Sequence, residues 1–149
     1  MHHVFARIAS CRRGAAALEL GLALPFLLTL LAGLFDFGSS VMNAMALQAA
    51  ARVGAQYALT QPADTAGIAA AVAAGTQLDP ALLTITSSSW CECPDGTNAD
   101  CSSSGACGPN VLLRRFVSVQ VTQAFIGLLP YPAFLRPTAL SGTAVMRVA

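Results

Sequence analysis

An apolar run near the N-terminus constrains this chain more than any other feature. Residues 14–35 read GAAALELGLALPFLLTLLAGLF and contain one charged side chain, Glu19. A helix rises about 1.5 Å per residue, so the run would be roughly 33 Å long, enough to cross a hydrocarbon layer of about 30 Å. The sequence therefore predicts a membrane-spanning helix whose first partner is the lipid bilayer.

The charges on either side of this run predict its orientation. Arg7, Arg12 and Arg13 precede it, and Asp36 follows it. Because basic residues are enriched on the cytoplasmic side of membrane helices, we expect the N-terminus in the cytoplasm and the rest of the chain outside. The expected parts are a cytoplasmic leader at 1–14, a transmembrane helix at 15–36 and an extracytoplasmic domain at 37–149 with a Cys-rich loop at 90–110.

Composition limits what the chain can bind or catalyse. Its 149 residues leave room for one small domain beyond the membrane helix. A formal net charge of +1 provides no basic field, so we expect no nucleic-acid partner. His2 and His3 both lie in the leader and lysine is absent, so the usual bases that activate a nucleophile are missing. We expect no enzymatic activity, no cofactor and no metal.

The end of the leader carries a motif with a known resemblance. Arg13-Gly14 followed by AAALE at 15–19 resembles a type IV prepilin processing site, with Gly before the cut and Glu at the fifth mature position. The segments at 19–25, 35–38 and 47–55 are similar to the TadE-like branch of these proteins. Members of that branch are pseudopilins, or minor pilins, of the tight adherence (Flp, type IVb) pilus machinery. The resemblance covers residues 12–60.

The resemblance implies a structural function in pilus biogenesis, secretion and surface adherence. It implies that a prepilin peptidase cuts after Gly14 and that the mature chain begins at Ala15. The implied partners are that peptidase, other pilins or pseudopilins, and the pilus assembly platform of the bacterial inner membrane. The implied location is that membrane, crossed once, or the pilus itself. The alternative is an unprocessed, membrane-anchored extracytoplasmic binding module.

Glu19 is the residue on which these implications depend. A charged carboxylate within the bilayer costs at least about 2 to 3 kcal/mol, so an intramembrane ionisable residue needs a partner or a function. The resemblance implies that the partner is the new α-amine of Ala15 on the same or a neighbouring subunit. The alternative is that Glu19 lies one turn inside the membrane and reaches the interface without a partner.

Two helices are predicted from periodicity and capping. The first continues through Pro25 to about Leu59, with an apolar stripe expected to pack on the domain at Met42, Met45, Ala49, Val53 and Tyr57. Gln61-Pro62 should end it. A second helix is expected from Ala66 to Leu78, with Asp64-Thr65 as its N-cap.

The remainder of the chain alternates in the manner of β-strands. Three strands are expected at 83–87, 117–122 and 143–148, where apolar and polar side chains alternate. Strands that follow helices indicate the α+β class. We therefore predict a pilin-like fold, in which a long N-terminal helix and a second helix accompany a three-stranded antiparallel sheet.

The loop between the first two strands contains four cysteines, Cys91, Cys93, Cys101 and Cys107. An oxidising compartment favours disulfides, for which three pairings are possible. A four-thiolate zinc site is the alternative, but the paired C-x-x-C spacing of such sites is missing. We expect Trp90 to cover the bridge.

The apolar segment at 127–137 is unusual for a connection because it combines leucines and aromatics with three prolines. It could pack under the sheet, touch the outer lipid surface or meet another subunit. Contact with another subunit is the interpretation that we favour from the sequence.

Overall fold

The computed structural model describes residues 12–103, 105, 107–108, 111–130 and 139–148, without the side chains of 12 and 13. The predictions for residues 1–11 of the leader and for residues 131–137 of the apolar segment lie outside these residues. The described elements are helices α1 (Arg12–Ala58) and α2 (Thr65–Ala74), a short 3-10 helix (Pro80–Leu82), and strands β1 (Leu83–Glu92), β2 (Asn98–Ala99), β3 (Arg114–Ala124) and β4 (Ala139–Val148). The predicted α+β class is confirmed, with four strands in place of three.

The chain divides into two compact units. Helix α1 belongs to the first unit up to Gly38 and to the second unit from Ser39 onward. The first unit is Met1–Gly38 with Gly127–Pro130, and the second is Ser39–Ile126 with Tyr131–Ala149. In the first unit, α1 continues through Pro25, whose carbonyl accepts a hydrogen bond from Thr29 Oγ1 at 2.8 Å. By length and composition, α1 is suited to cross a membrane.

The sheet of the second unit is antiparallel throughout, in the order β2-β1-β3-β4. Ile85 of β1 lies opposite Val121 of β3, and Val119 of β3 lies opposite Ala144 of β4. Strand β2 pairs only with the end of β1, inside the Cys-rich loop. The sequence missed β2 because two residues are too few to show alternation.

The core of the second unit is formed by one face of α1, by Ile68 and Val72 of α2, and by buried residues of the sheet. The buried residues of α1 include Leu47, Ala51 and Ala55. In contrast, Met42 is 69% exposed and Met45 is 65% exposed. The predicted stripe was therefore wrong at Met42 and Met45, whereas Tyr57 packs against the core as expected. The reason is a close approach, because a Cβ added at Gly142 of β4 would overlap the α1 backbone at residues 47 and 48. The absence of a side chain at Gly142 lets the strand approach the α1 backbone, and Ala51 and Ala55 add little bulk to the buried face of the helix.

Helix α2 begins at its predicted cap and ends earlier than predicted. Asp64 Oδ1 accepts a hydrogen bond from Gly67 N at 2.9 Å, and Asp64 Oδ2 accepts one from Tyr57 Oη at 2.9 Å. The hydrogen bond from the Gly67 backbone, and to a smaller extent the one from Tyr57, hold the pKa of Asp64 below its ordinary value. The helix ends at Ala74, and its C-cap Gly75 donates a shared backbone hydrogen bond to the carbonyls of Ala71 and Val72.

Candidate functional site

The expected processing residues lie together at the start of α1. Gly14, Ala15 and Glu19 all belong to this helix, and all three are exposed. A Cβ added at Gly14 would meet no atom within 4 Å. The fold itself therefore does not require glycine at this position, and a requirement for glycine would have to come from a partner.

Glu19 lies on an apolar surface without a partner among the described residues. Its neighbours Leu18, Leu20 and Leu22 are between 64% and 72% exposed. Residues four apart in a helix share a face, so Ala15 and Glu19 lie one turn from each other on the same side. The geometry thus leaves the carboxylate accessible to a cation at the level of Ala15.

A second carboxylate in this unit has the opposite environment. Asp36 is 4% exposed, and it accepts hydrogen bonds from two backbone amides far along the chain. Leu128 N donates to both carboxylate oxygens, at 2.8 and 2.9 Å, and Leu129 N donates to Oδ2 at 3.1 Å. Asp36 therefore binds the segment Gly127–Pro130 to the helix.

Sequence reasoning missed this contact, since it treated Asp36 only as the charge that ends the membrane span. A signal was present, because Asp36 stands between Phe35 and Phe37 in an otherwise apolar stretch. An acidic residue in such surroundings requires hydrogen-bond donors. What the sequence could not supply was the location of the donors, which are 92 and 93 residues away.

The Cys-rich loop has one of the three possible pairings. The structure joins Cys91 to Cys101 and Cys93 to Cys107, with Cα atoms 5.2 and 5.4 Å apart. No group of three or more potential metal ligands occurs among the described residues. Oxidation of these thiols in the cell stays a prediction.

The loop is also shaped by two aspartates that stabilise its turns. Asp95 Oδ1 accepts hydrogen bonds from the backbone N and the hydroxyl of Thr97, and Asp100 Oδ1 does the same with Ser102. In each case the hydrogen bond from the backbone, and to a smaller extent the one from the hydroxyl, lowers the pKa of the aspartate carboxyl. Both aspartates therefore have a structural role within the loop.

Trp90 does not have the position that we expected. Its ring stacks on Phe116 of the neighbouring strand, with centroids 5.6 Å apart, and its Nε1 donates to Glu92 Oε1 at 2.7 Å. Successive side chains of a strand point to opposite faces. Trp90 and Cys91 are consecutive in β1, so the indole lies on the face opposite the Cys91 side chain.

Comparison with protein families gives a match on the helix that carries these residues. No curated protein and no solved structure matches the chain. The model of the TadE-like protein family matches residues 14–56, from the glycine of the processing motif almost to the end of α1. This family implies association with the tight adherence pilus. Over residues 14–56 the chain is thus similar to the TadE-like family, as the resemblance of its motifs predicted.

Proposed function

We propose that the chain is a pseudopilin or minor pilin of a tight adherence (Flp) pilus system, and that it contributes to pilus biogenesis and surface adherence. The observation that carries this proposal is Glu19, an exposed carboxylate on an apolar helix, one turn after Ala15. The family match supports it, because the match begins at Gly14. The role is structural, without catalysis and without nucleic acid.

The proposed mechanism starts with cleavage by a prepilin peptidase. Removal of residues 1–14 would leave a positively charged α-amine on Ala15, with the N-terminus on the cytoplasmic side of the inner membrane and the C-terminal part outside. In lipid, an unpaired carboxylate is costly, so Glu19 gains most from a cation held at the same depth. The amine of Ala15 on a neighbouring pilin or pseudopilin would satisfy it, and the pair would select the axial position of each subunit during assembly at the platform.

The surface of α1 supports close approach between such subunits. Gly21 and Gly38 are helical glycines at which an added Cβ would meet no atom within 4 Å. Small residues let neighbouring membrane helices approach closely, which strengthens van der Waals packing where no hydrophobic driving force exists between helices. The glycines are therefore free to receive side chains from another subunit.

Processing is tested by the intact mass of the protein from its native host. The mature chain should begin at Ala15, and Gly14→Ala, or a bulkier residue there, should block cleavage. Gly21→Ala is a matched control, since it changes another open glycine of the same helix and should be processed normally. Recovery of only full-length chain beginning at Met1 from the wild type would refute the proposal and favour the membrane-anchored binding module.

The docking role of Glu19 is tested separately. Glu19→Ala and the isosteric Glu19→Gln should both leave membrane insertion intact, because they remove a charge that is costly in lipid. Cleavage should also persist, because by family resemblance the peptidase depends chiefly on the glycine before the cut. Both should abolish assembly into pili at normal protein levels. Normal piliation by either variant would make Glu19 a tolerated interfacial charge and would exclude the ion-pair mechanism.

A further inference from the structure

Asp36 lies in α1 at the end of the apolar run that begins at Gly14. At about 1.5 Å per residue, the carboxylate is roughly 33 Å along the axis from Gly14, close to the thickness of a hydrocarbon core. The residue is buried although the helix around it is exposed, since Leu34, Phe35 and Phe37 are 67%, 69% and 69% accessible. The segment Gly127–Pro130 of the same unit contacts Asp36 through hydrogen bonds from the backbone of Leu128 and Leu129.

This segment combines an apolar surface with satisfied amides. Leu128 is 70% exposed, while its backbone N and that of Leu129 both donate to Asp36. A backbone group without a partner costs several kcal/mol in a lipid environment, so loops there must have internal hydrogen bonds. Asp36 accepts these hydrogen bonds from the backbone amides of both leucines in the loop. An aqueous loop would have no need of a buried carboxylate for this purpose.

We propose that Gly127–Pro130 is a second membrane contact, which lies in the outer interfacial layer of the bilayer with Leu128 inserted among the lipids and Asp36 as its clamp. The proposal rests on the membrane anchoring assumed in the proposed function. Lipid is the occupant because the exposed apolar surface of α1 continues directly onto the loop within one unit. An interfacial apolar face of this kind typically enters about 5–10 Å into the headgroup and acyl boundary.

The contact would give the helix a fixed depth. A single membrane helix can tilt and shift along its axis at a modest cost in free energy. A second contact at Asp36 would hold the outer end, and Glu19 would then lie about 25 Å deeper along the axis. The clamp would thereby set the level at which Glu19 meets its partner.

Tryptophan fluorescence can locate the loop in the full-length protein. The chain has one tryptophan, so Trp90→Phe gives a silent background in which Leu128→Trp is the reporter. Phe35→Trp serves as the reference within the span, and Leu112→Trp, at an 86% exposed position of the second unit, serves as the reference outside it. Each variant is placed in phosphatidylcholine and phosphatidylglycerol vesicles and quenched by lipids brominated near the headgroup or by aqueous acrylamide.

We expect brominated lipid to quench Leu128→Trp clearly more strongly than Leu112→Trp, as for a side chain at the acyl boundary. Asp36→Asn should reduce that quenching toward the value for Leu112→Trp, since an amide cannot accept the same three hydrogen bonds. Far-ultraviolet circular dichroism checks that the helix is retained. Unchanged quenching in a folded Asp36→Asn variant would overturn the clamp.

Other outcomes overturn the membrane contact in distinguishable ways. If acrylamide alone quenches Leu128→Trp while brominated lipid quenches Phe35→Trp, the loop lies in water and only this inference fails. If neither quencher reaches Leu128→Trp until the protein is diluted, another subunit covers the loop. If brominated lipid does not quench even Phe35→Trp, the membrane anchoring of the proposed function fails as well.

Discussion

Gly54→Ala should destabilise the second unit, although alanine is the better helix former. Gly54 lies in α1 where a new methyl group would overlap Val72 Cγ2 of α2 and lie 3.2 Å from Val119 Cγ1 of β3. Both valines are completely buried. Branching at Cβ leaves a valine few alternative rotamers, so neither side chain can turn away.

The magnitude follows from two opposing effects. Replacing a helical glycine by alanine stabilises a helix by about 1 kcal/mol, whereas inserting a methyl group into a packed core costs about 1–3 kcal/mol. The rigid neighbours place the cost in the upper part of that range, so the free energy of unfolding should fall by about 1–2 kcal/mol.

Val72→Ala provides the decisive comparison, because it removes the methyl group that the new side chain would overlap. Alone it should destabilise through the cavity that it leaves. Combined with Gly54→Ala it should cost less than the sum of the two single changes, by about 1–2 kcal/mol, since neighbours in one core couple to this extent.

Denaturant titration of the full-length chain in detergent micelles, with the disulfides intact, measures these differences. The stacking of Trp90 on Phe116 makes its fluorescence a built-in probe of the sheet. Gly38→Ala is the control, because that helical glycine faces open space and its replacement should be neutral or stabilising. A Gly54→Ala variant as stable as wild type, or strict additivity in the double variant, would refute the packing described here.

Three further predictions concern the second unit. The pKa of Asp64 is lower in the folded state than in the unfolded chain. The ionised carboxylate therefore stabilises the fold above its unfolded-state pKa, and this stabilisation is lost as the pH falls through its folded-state pKa. The stability of an Asp64→Ala variant should accordingly depend less on pH below about pH 4. Gln48 Nε2 donates to Thr143 O at 2.7 Å and Gln48 Oε1 accepts from Thr143 N at 3.0 Å, so Gln48→Ala should speed hydrogen exchange at that amide and cost about 1–2 kcal/mol in a denaturant titration. Peptide mapping of the non-reduced protein should recover two linked pairs, Cys91 with Cys101 and Cys93 with Cys107.

The features that could be predicted from the sequence depend on neighbours in the chain. Asp64 caps α2 because a short polar side chain can reach the amide three residues ahead. The alternation of Val117, Val119 and Val121 predicts a strand with one buried face, and all three valines are in the core. Each of these signals is local, so neither requires knowledge of what packs on the element.

The features that could not be predicted depend on distant partners. Periodicity favoured Met42 and Met45 as the packing face, since large apolar side chains usually seek the core. The backbone of Gly142, almost a hundred residues later, comes so close to α1 that a Cβ there would overlap the helix backbone at residues 47 and 48. Likewise, the hydrogen-bond donors of Asp36 follow β3, and no pattern around Asp36 points to them.

The two carboxylates of α1 in the first unit, Glu19 and Asp36, differ in burial, and this difference predicts different roles. Asp36 and Glu19 both interrupt a long apolar helix, and in lipid each needs donors or a cation. Asp36 receives its donors from this chain, with three hydrogen bonds from two amides, so it can stabilise the folded subunit by itself. Glu19 is exposed and receives none from the described residues, so any stabilisation of its charge must come from beyond them. A carboxylate on an apolar helix that receives no donor from the described residues can accept a cation from a partner, and this difference is why we propose assembly at Glu19 and positioning of the helix at Asp36.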